Sequence, residues 1–430
     1  MRKIKNILIL AGGDSTRFWP LENKLFFSFL GKPLILYQIE ELLKYGELIT
    51  VVANKSNATV VKRLVDNNDI KSVQIIIQKD DYSGMAGAVF STKNHIKGEA
   101  LIVNGSDLID YSIILKLMPL INEENKLIMV GKQFNEYFSG GYFKFDDDLP
   151  AGRQGKKIIG IIEKPDKDKM PSSTVKLVFD YFADINDLLK YFSQAKTQND
   201  DLYEVVINKM LLDDLKHTHL IYDSYWYGLK YPWQVLPMMR NFLISLKEQK
   251  ISSSAEISEK ALIIGPVVIR ENVKVGAFCK IVGPTFIGDN TIVGDYSMIR
   301  ESQIGEDSLV GSFSEVARSY VGNNVLLHRN YIGDSVLDND VMFGAQAVTG
   351  NLKFDGEKVL SEVNEERIDT NMNKLGAVVG KLSKIGVNTT IFPGVKIGKK
   401  SWIRPGEKVK YDVEDKTYLA EGEEKDNIKV

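Results

Sequence analysis

The sequence predicts an α/β domain followed by a parallel β-helix. Over residues 1–245, short apolar runs alternate with amphipathic helical patterns. Beyond that region, aliphatic residues followed by glycine recur, mostly six or eleven residues apart. A chain of 430 residues has room for two or three domains. We therefore expect a first domain at 1–245, a linker at 246–258, a β-helix at 259–412 and a charged tail at 413–430, of which Glu421–Val430 is disordered.

The first domain alternates strands and helices as α/β proteins do. The predicted strands are Ile7–Leu10, Leu48–Ala53, Val73–Gln78, Ala100–Val103 and Leu127–Val130, and the predicted helices are Leu34–Tyr45, Asn57–Asn67 and Tyr111–Asn122. Such sheets bind ligands beyond the carboxyl ends of their strands. The loops after the first, third and fourth strands are therefore the places to look for a site.

The second half repeats a short unit in which one aliphatic residue precedes a small one. The glycines in these units are Gly265, Gly276, Gly283, Gly288, Gly294, Gly305, Gly311, Gly322, Gly333, Gly380, Gly386 and Gly398. A hexad with one inward aliphatic residue is typical of a parallel β-helix coil. A single coil cannot bury its apolar face, so stacked coils must supply the core.

Composition excludes several classes of protein. The chain is 44% hydrophobic and 26% charged, with a net charge of −2 and a pI of about 6.2. These values argue against a nucleic-acid or polybasic membrane surface, although not against a local basic pocket. One cysteine, Cys279, excludes an intrachain disulfide and a cysteine-based zinc cluster. The N-terminus has no signal-peptide pattern and no apolar run is long enough to span a membrane, so we expect a cytoplasmic protein.

The loop after the first strand holds Gly12, Gly13, Thr16 and Arg17. Glycines let backbone N–H groups approach an anion closely, and a basic side chain can neutralise phosphate charge. The order of residues differs from both the dinucleotide-binding fingerprint and the P-loop. Phosphate binding and a plain glycine-rich turn both remain open on this local pattern.

The wider pattern resembles the signature of the sugar-1-phosphate nucleotidylyltransferases. The resemblance rests on Leu10-Ala11-Gly12-Gly13, Thr16-Arg17, Pro20-Leu21, Lys24 and Gly31-Lys32-Pro33-Leu34, with Asn23 where the family usually has proline. It implies a Rossmann-like sheet and attack by a sugar 1-phosphate on the α-phosphorus of a nucleoside triphosphate, with loss of pyrophosphate. It implies that Ala11, Gly12, Gly13 and Thr16 bind the nucleotide and that Arg17 and Lys24 act on the phosphates.

Further motifs extend this resemblance. Gln78, Gly84 and Ala86 correspond to the family's base-contacting residues, and Asp107 corresponds to its Mg²⁺ ligand, with Asp110 as the alternative. Glu163-Lys164-Pro165 corresponds to the sugar-phosphate motif, in which Lys164 acts on the phosphate, and Tyr203 and Glu204 fall where relatives supply a sugar contact. The closing motif departs from the family. Gly228 and Lys230 stand in the places of the aspartate and the glycine of the family's W-x-D-x-G pattern, in which the aspartate is a second Mg²⁺ ligand, so Lys230 is a candidate for charge neutralisation instead.

The repeats resemble the hexapeptide-repeat family, which implies a left-handed β-helix and a homotrimer. The segment from Leu327 to Gly356 further resembles the acetyltransferase half of the bifunctional enzymes that make UDP-N-acetylglucosamine. That resemblance implies acetyl-CoA as cosubstrate, His328 as general base, and Tyr331 and Asn351 as contacts for an amino-sugar phosphate. Imidazole suits a base near neutral pH. The basic contact is either Lys353 or Lys358, and Met342 replaces an expected asparagine.

Three functions remain open from the sequence. The first is a nucleotidylyltransferase that also acetylates an amino-sugar phosphate. The second is a nucleotidylyltransferase whose β-helix serves only for trimerisation, which Met342 favours. The third is a catalytically silent regulatory or nucleotide-sugar-binding subunit, which the loss of an aspartate at Gly228 favours and the presence of Arg17, Lys24 and Asp107 opposes. The sequence identifies neither the base nor the sugar.

Overall fold

The computed structural model describes residues 2–79, 84–146, 157–197, 201–420 and 423–426. The chain divides into two compact units. Met1–Asp14 and Ile35–Trp226 form the first unit, and Ser15–Leu34 and Tyr227–Val430 form the second. The second unit therefore combines an early piece of the chain with its whole C-terminal half.

Short strands and helices alternate along the chain up to Ile244. They are β1 Ile4–Ala11, β2 Ser28–Phe29, β3 Lys32–Pro33, α1 Leu34–Leu42, β4 Gly46–Ala53, α2 Lys55–Asn67, β5 Val73–Ile77, α3 Gly84–Phe90, β6 Ala100–Asn104, β7 Asp107–Ile109, α4 Ile113–Leu117, β8 Leu127–Gln133, β9 Gly141–Phe145, β10 Ile158–Glu163, β11 Thr174–Phe182, α5 Ile185–Phe192, α6 Leu202–Leu212, β12 His217–Ile221, β13 Trp226–Gly228 and α7 Val235–Ile244. Short 3-10 helices lie at Thr16–Phe18, Lys24–Phe26, Met118–Leu120 and Pro232–Gln234.

The first unit contains a nine-stranded mixed sheet within the described residues. Its main path runs β10-β9-β11-β6-β1-β4-β5, and β8 pairs with β11 and β12. The four strands β6, β1, β4 and β5 are parallel neighbours, so their carboxyl ends lie at one edge. β11 runs antiparallel to β6 and β8, and its pairing with β8 is irregular between Lys176 and Asp180. This arrangement confirms the predicted α/β class.

The predicted elements of the first unit are present, with shifted ends. The first strand begins at Ile4 rather than Ile7 because Ile4 pairs with Gly46 of β4. The helix expected at Tyr111–Asn122 is a five-residue α-helix followed by a 3-10 turn. Pro119 occupies that 3-10 turn, where its missing N–H prevents a regular helix from continuing.

The second unit contains three parallel sheets whose strands follow one another around successive coils. The strands are β14 Lys250–Ile251, β15 Glu256–Ile257, β16 Leu262–Ile264, β17 Val267–Ile269, β18 Lys274–Val275, β19 Lys280–Val282, β20 Thr285–Ile287, β21 Ile292–Val293, β22 Met298–Arg300, β23 Gln303–Ile304, β24 Leu309–Val310, β25 Glu315–Ala317, β26 Tyr320–Val321, β27 Leu326–Leu327, β28 Tyr331–Gly333, β29 Val336–Leu337, β30 Met342–Phe343, β31 Val348–Thr349, β32 Leu360–Val363, β33 Glu366–Asp369, β34 Val378–Val379, β35 Lys384–Ile385, β36 Thr390–Ile391, β37 Lys396–Ile397, β38 Trp402–Ile403, β39 Lys408–Val409, β40 Thr417–Ala420 and β41 Glu423–Asp426.

The register of these strands defines the coils. From β14 to β28, each strand pairs with the third strand after it, so that Ile292 lies opposite Leu309, and Leu309 opposite Leu326. Inward aliphatic side chains form one continuous buried column, which includes Val275, Val293 and Val310. This is the core that single coils cannot bury alone. The architecture fits the predicted left-handed parallel β-helix.

The coils are interrupted where the sequence departs from the hexad. Met342 pairs with Lys384 because the intervening residues leave the coil and return. Part of this excursion is an antiparallel hairpin, formed by β32 and β33. The coil has resumed by Val378, which pairs with Val336.

Both ends of the β-helix extend beyond the expected boundaries. Lys250 and Glu256 lie in the residues expected to form a linker, but they pair with Val268 and Lys274 of the next coil. In the expected tail, β40 pairs with β38 and β41 pairs antiparallel with β40, so Glu423–Asp426 is not disordered as expected. Backbone pairing outweighs the high charge of these residues. The rest of the tail beyond Ala420 lies outside the described residues.

None of the helices in the described part of the chain has the length and apolar content needed to span a bilayer.

Candidate active sites

The glycine loop and Gln78 lie together at the carboxyl edge of the parallel strands. A Cβ added to Gly12 would lie 1.8 Å from Gln78 Oε1, so the glutamine amide rests directly on the Gly12 backbone. Gln78 Nε2 also donates to the Gly84 carbonyl at 3.3 Å. Three residues expected to bind the nucleotide are therefore neighbours, although they are distant in sequence.

The turn after β1 is held by two side chains at the start of α2. Asn57 Nδ2 donates to the Ala11 carbonyl at 3.0 Å, and Asn54 Nδ2 donates to the Gly12 carbonyl at 3.4 Å. Asn54 also caps α2, since its side chain accepts from the Asn57 N–H. Gly13 is exposed, and a Cβ there would meet nothing within 4 Å. The loop thus has fixed carbonyls and an open side at Gly13.

Two expected nucleotide contacts have buried side chains. Ala11 and Ala86 are each 2% exposed, and Ala86 belongs to the apolar core beneath the sheet. Their side chains face the protein interior because β1 and α3 are packed on that side. A contact with a ligand would have to come from their main chain.

The remaining phosphate-binding candidates lie in the second unit. Thr16 and Arg17 are exposed and belong to the first 3-10 helix, whereas Lys24 is half-buried and begins the second. The residues before these helices, Ser15 and Asn23, have φ values of 58° and 48°. These left-handed conformations reverse the chain twice within ten residues.

Asp107 is oriented by neutral donors. Asn104 Nδ2 donates to Asp107 Oδ1 at 3.0 Å, and Trp226 Nε1 donates to Oδ2 at 3.0 Å. Gln38 Nε2 donates to the Asp107 carbonyl at 2.6 Å, which fixes the backbone as well. Asp107 and Trp226 also line a small cavity with Tyr111. Among the described residues, no group of three or more His, Cys, Asp or Glu side chains surrounds a common point.

Asp110, the alternative Mg²⁺ ligand, makes hydrogen bonds within the protein. Its Oδ1 accepts from the Ser112 N–H at 3.0 Å, and its own N–H donates to the Tyr222 hydroxyl at 2.7 Å. These bonds hold Asp110 as the residue that begins the turn into α4. Its geometry is therefore that of a turn residue, and Asp107 remains the better candidate.

Glu163 and Lys164 lie at the end of β10. Their charged groups lie 3.3 Å apart, and both are partly exposed. Lys164 has a φ of 45°, and its N–H donates to the Gly140 carbonyl at 3.0 Å. Glu163 Oε2 would lie 2.9 Å from a Cβ on Gly141, so the carboxylate rests on the backbone of the neighbouring strand β9. The motif thus turns its lysine out of the sheet.

Glu204 lies near Glu163 but is only 6% exposed. Burial raises the pKa of Glu204 to about 7, the Lys176 ammonium opposes this rise, and the Glu163 carboxylate adds to it. A carboxyl group with this pKa changes protonation near neutral pH. It can donate a hydrogen bond when protonated and accept one when ionised.

Tyr203 does not occupy the position expected for a sugar contact. It is 1% exposed, and its hydroxyl donates to Asp180 Oδ2 at 2.8 Å. Lys176 Nζ donates to the same oxygen at 2.5 Å and lies 5.3 Å from the Tyr203 ring centroid. The expectation of a direct sugar contact by Tyr203 is corrected to a role in this buried network, because the first turn of α6 packs inward.

Sequence reasoning missed Lys176 and Asp180. They lie at the irregular part of β11, and their side chains are 3% and 0% exposed. The signal that could have found them is a lysine and an aspartate four residues apart within a strand otherwise rich in apolar residues. Charged side chains buried in a sheet are costly unless paired, so such a pattern indicates a network.

Lys230 lies in the second unit, near Tyr231. Its Nζ is 5.4 Å from the Tyr231 ring centroid, and its N–H donates to Gln234 Oε1 at 2.7 Å. Gln234 also accepts from the Tyr231 N–H at 2.8 Å. The closing motif is therefore a rigid turn into α7 that begins after Lys230.

The β-helix gathers a polar cluster around Asp334. Arg318 Nε and Nη2 donate to the two Asp334 carboxylate oxygens at 2.7 and 2.6 Å. Asn351 Nδ2 donates to Asp334 Oδ2 at 2.5 Å and to the Tyr331 hydroxyl at 3.2 Å. The two residues expected to bind the amino-sugar phosphate are thus hydrogen-bonded to each other, and Asn351 also bonds to the aspartate. We call Arg318, Tyr331, Asp334 and Asn351 the coil cluster.

His328 begins the turn that leads into this cluster. Its side chain is exposed, and its backbone N–H donates to Asn330 Oδ1. Asn330 is 3% exposed and donates to the Gly344 and Ala347 carbonyls at 2.9 and 2.8 Å. The backbone that carries the imidazole is therefore tied to the next coil.

Sequence reasoning missed the roles of Arg318 and Asp334 in this cluster. Arg318 precedes Asp334 by sixteen residues and lies on the preceding coil. Adjacency between coils depends on coil length, which a local motif does not reveal. Lys353 and Lys358, the alternative basic contacts, form ion pairs with Asp355 at 2.9 Å and Asp369 at 3.7 Å.

Comparison with known proteins identifies both halves. The Nucleotidyl transferase family model matches residues 6–229, and the model described as GMPPB C-terminal domain matches residues 246–365. The bifunctional sugar-1-phosphate nucleotidylyltransferase/acetyltransferase of Sulfurisphaera tokodaii is 31% identical over 94% of this chain and 97% of its own length. The bifunctional protein GlmU of Methanococcus aeolicus is 27% identical over 97% of each chain. A crystal structure of UDP-glucose pyrophosphorylase with UDP-glucose has a TM-score of 0.47 at 17% identity, covering 56% of this chain and 98% of that one.

The family models and the two relatives confirm the resemblance on which the sequence motifs rested, and the relatives cover nearly the whole chain. The chain belongs to the nucleotidyl transferase family, and specifically to its sugar-1-phosphate nucleotidylyltransferase enzymes that carry a C-terminal acetyltransferase-like half.

Proposed function

We propose that the first activity transfers a nucleotidyl group from a nucleoside triphosphate to a sugar 1-phosphate, through the residues described above. The observation that carries this proposal is the contact of Gln78 with Gly12 and Gly84 at the carboxyl edge of the sheet. An amide at this edge can read the hydrogen-bonding pattern of a base, while the open backbone at Gly13 admits a phosphate.

Charge neutralisation is assigned to two basic residues and one carboxylate. Arg17 and Lys24 act on the triphosphate, as their motif implies. Asp107 suits Mg²⁺ because this ion commonly takes one or two carboxylates and completes its shell with phosphate oxygens and water. Mg²⁺ held there would screen the charge of the phosphates. Asn104 and Trp226 keep the Asp107 carboxylate in a fixed orientation before any ligand arrives.

The sugar 1-phosphate is assigned to Glu163, Lys164 and Glu204. Lys164 offers a compact positive charge for the sugar's phosphate. Glu163 accepts from sugar hydroxyls, and its carboxylate lies close enough to Glu204 to raise the pKa of Glu204. The buried charges of Lys176 and Asp180 also act on the pKa of Glu204, the first lowering it and the second raising it.

The reaction needs positioning and charge stabilisation rather than a protein nucleophile. An oxygen of the sugar phosphate forms a bond to the α-phosphorus. The bond between that phosphorus and the bridging oxygen breaks, and pyrophosphate leaves with the electron pair. Fixed cations lower the cost of the charge that develops in this step.

The second activity is acetyl transfer to an amino-sugar phosphate. His328 removes a proton as the amine attacks the acetyl-CoA thioester, and the CoA sulfur leaves as a thiolate that is then protonated. Asn351 and Tyr331 contact the acceptor, and Arg318 adds positive charge near its phosphate. The exposure of His328, which precedes Tyr331 of the coil cluster by three residues, supports this assignment. We further propose a cytoplasmic homotrimer, as in hexapeptide-repeat proteins.

A scaffold role for the β-helix remains the second candidate. Met342, which replaces the expected asparagine, is 36% exposed and offers no hydrogen-bond donor. If this position is indispensable, the β-helix would only assemble the chain. Acetyl-CoA consumption by wild type separates the two possibilities.

The test of the first activity compares three purified proteins. Lys24→Ala should lower kcat/KM for pyrophosphate release by about 100-fold or more, because it removes a charge that stabilises the transition state. Lys62→Ala, which changes an exposed lysine on α2, should leave the rate unchanged. Equal rates in wild type and Lys24→Ala would contradict the assignment.

A further inference from the structure

The segment Ser15–Leu34 carries Thr16, Arg17 and Lys24, yet it belongs to the same compact unit as the β-helix. We call it the signature segment. The segment lies near the start of the predicted α/β domain, so the sequence does not predict its association with the β-helix. Four of the side chains that hold it lie in or just after strands of one β-helix sheet, namely β23, β26, β34 and β37.

The first attachment fixes the backbone near Leu30. Gln303 accepts from the Leu30 N–H at 2.8 Å and donates to the Ser28 carbonyl at 2.8 Å. The Tyr320 hydroxyl donates to the same carbonyl at 3.1 Å. Gln303 is 2% exposed and Tyr320 is 4% exposed. Buried hydrogen bonds to main-chain atoms define a backbone conformation whatever side chains the segment carries.

Aromatic packing reinforces this attachment. The Phe27 and Tyr320 ring centroids are 4.9 Å apart, and Phe29 stacks on Phe242 of α7 at 4.9 Å. Phe18 packs edge-on against Phe27 at 5.6 Å and is fully buried. Burying aromatic surface of this size contributes more than the hydrogen bonds alone. The segment is thus integrated into the core of its unit.

The second attachment lies near Glu22. The Glu22 carboxylate forms ion pairs with both Lys381 and Lys399, which follow β34 and β37. Trp19 Nε1 donates to Asp415 Oδ1 at 2.9 Å. Lys396 lies 5.3 Å from the Trp19 ring centroid. These contacts involve partly buried charges, which are worth more than exposed pairs.

The two attachments enclose the 3-10 turn that begins with Lys24, and the second lies five residues beyond Arg17. We propose that Gln303, Tyr320, Lys381 and Lys399 of the β-helix are positioning residues for nucleotidyl transfer. They hold the backbone of the signature segment so that Arg17 and Lys24 are already in place when the triphosphate binds. This inference rests on the proposed function of those two residues.

A purely structural role makes a different prediction. If the contacts only added stability, their loss would lower the melting temperature without changing the kinetics of the folded protein. If they position the segment, their loss should lower kcat for pyrophosphate release at saturating nucleotide. Preorganisation contributes to the transition state more than to ground-state binding.

The experiment uses the full chain and a double variant, Lys381→Met with Lys399→Met. Hydrogen exchange should become faster in residues 15–34, because the segment opens more often. The kcat for pyrophosphate release should fall about tenfold, since small displacements of a positioned group have effects of this size or larger. Acetyl transfer should be unchanged. The matched control is Lys384→Met, which removes a lysine from β35 of another sheet and leaves residues 15–34 untouched.

A second, less disruptive variant keeps the proposal testable if the double variant misfolds. Tyr320→Phe deletes one hydrogen bond to Ser28 and preserves the ring that packs on Phe27. It should accelerate exchange near Ser28, with a smaller fall in kcat. Exchange and kcat that match wild type in both variants would overturn the proposal.

A failure of the proposed function would give a different experimental result from a failure of the positioning proposal. If wild type releases no pyrophosphate from any substrate pair, the assignment of Arg17 and Lys24 fails. Hydrogen exchange then decides alone whether the β-helix holds the segment. Faster exchange in the double variant upholds the attachment, and unchanged exchange overturns it.

Discussion

The two candidate sites are built in different ways. In the α/β unit, functional residues follow strand ends, so Gln78 reaches Gly12 because neighbouring parallel strands end at one edge. In the β-helix, the coil cluster joins side chains from successive coils, such as Arg318 and Asp334. The first kind of site depends on loops and the second on coil length. A change in a loop should therefore act locally, whereas a change in coil register should dismantle a whole cluster.

The largest effect that separates the two sites is expected from His328→Ala. Loss of a general base should slow acetyl transfer by about 100-fold to 10,000-fold and leave pyrophosphate release unaffected. The measurement is CoA thiol release with an amino-sugar 1-phosphate and acetyl-CoA. The control is His95→Ala, which changes an exposed histidine. His217→Ala would be a poor control, because the His217 ring contacts two backbone carbonyl oxygens. Acetyl transfer that survives in His328→Ala would remove the histidine from the mechanism.

A smaller effect is expected from Asp334→Asn. This change preserves shape but removes the charge that binds Arg318 and orients Asn351. Hydrogen bonds to charged groups are worth enough that the KM for the amino-sugar phosphate should rise about tenfold. Steady-state kinetics with varied acceptor would measure it. An unchanged KM, with a lowered melting temperature, would make the coil cluster a structural feature only.

The smallest expected effect concerns pH and Glu204. Its pKa in the folded protein, about 7, lies above the ordinary value of 4.5. The folded state therefore binds a proton more tightly than the unfolded state, and the associated stability is lost as pH rises through the range from 4.5 to 7. Glu204→Gln should remove this loss. Its melting temperature should change less between about pH 5 and about pH 8 than that of wild type.

The same melting curves test the origin of the shift. Lys176 opposes the rise in the pKa of Glu204, so Lys176→Met should move the pH-dependent loss to higher pH. A parallel pH dependence in wild type and Glu204→Gln would show that other groups are responsible.

Much of the fold follows from periodicity. The strands of the α/β unit were predicted within a few residues, and most of the aliphatic positions before the glycines lie in the buried column of the β-helix, as Val293 and Val310 show. Periodicity did not predict the structure of the charged C-terminal residues, which depends on backbone pairing. Glu423–Asp426 is highly charged, yet it forms a strand because β40 offers it an edge.

The sites were predictable where one local motif holds the residues. Glu163 and Lys164 are adjacent in sequence, and their grouping required no knowledge of the fold. The buried network of Lys176, Asp180 and Tyr203 was missed because its members pack inward from a strand and a helix. The attachment of Ser28 to Gln303 was also missed, since it joins residues 275 positions apart.

The measurement that tests the central claim most directly is pyrophosphate release by the purified full-length chain. UTP, dTTP, GTP, ATP and CTP would each be combined with glucose-, glucosamine-, N-acetylglucosamine- and mannose-1-phosphate in the presence of Mg²⁺. The account predicts strong release for at least one pair, and dependence of that release on Lys24 and Asp107. Release from none of the pairs would contradict it and favour a silent nucleotide-sugar-binding subunit.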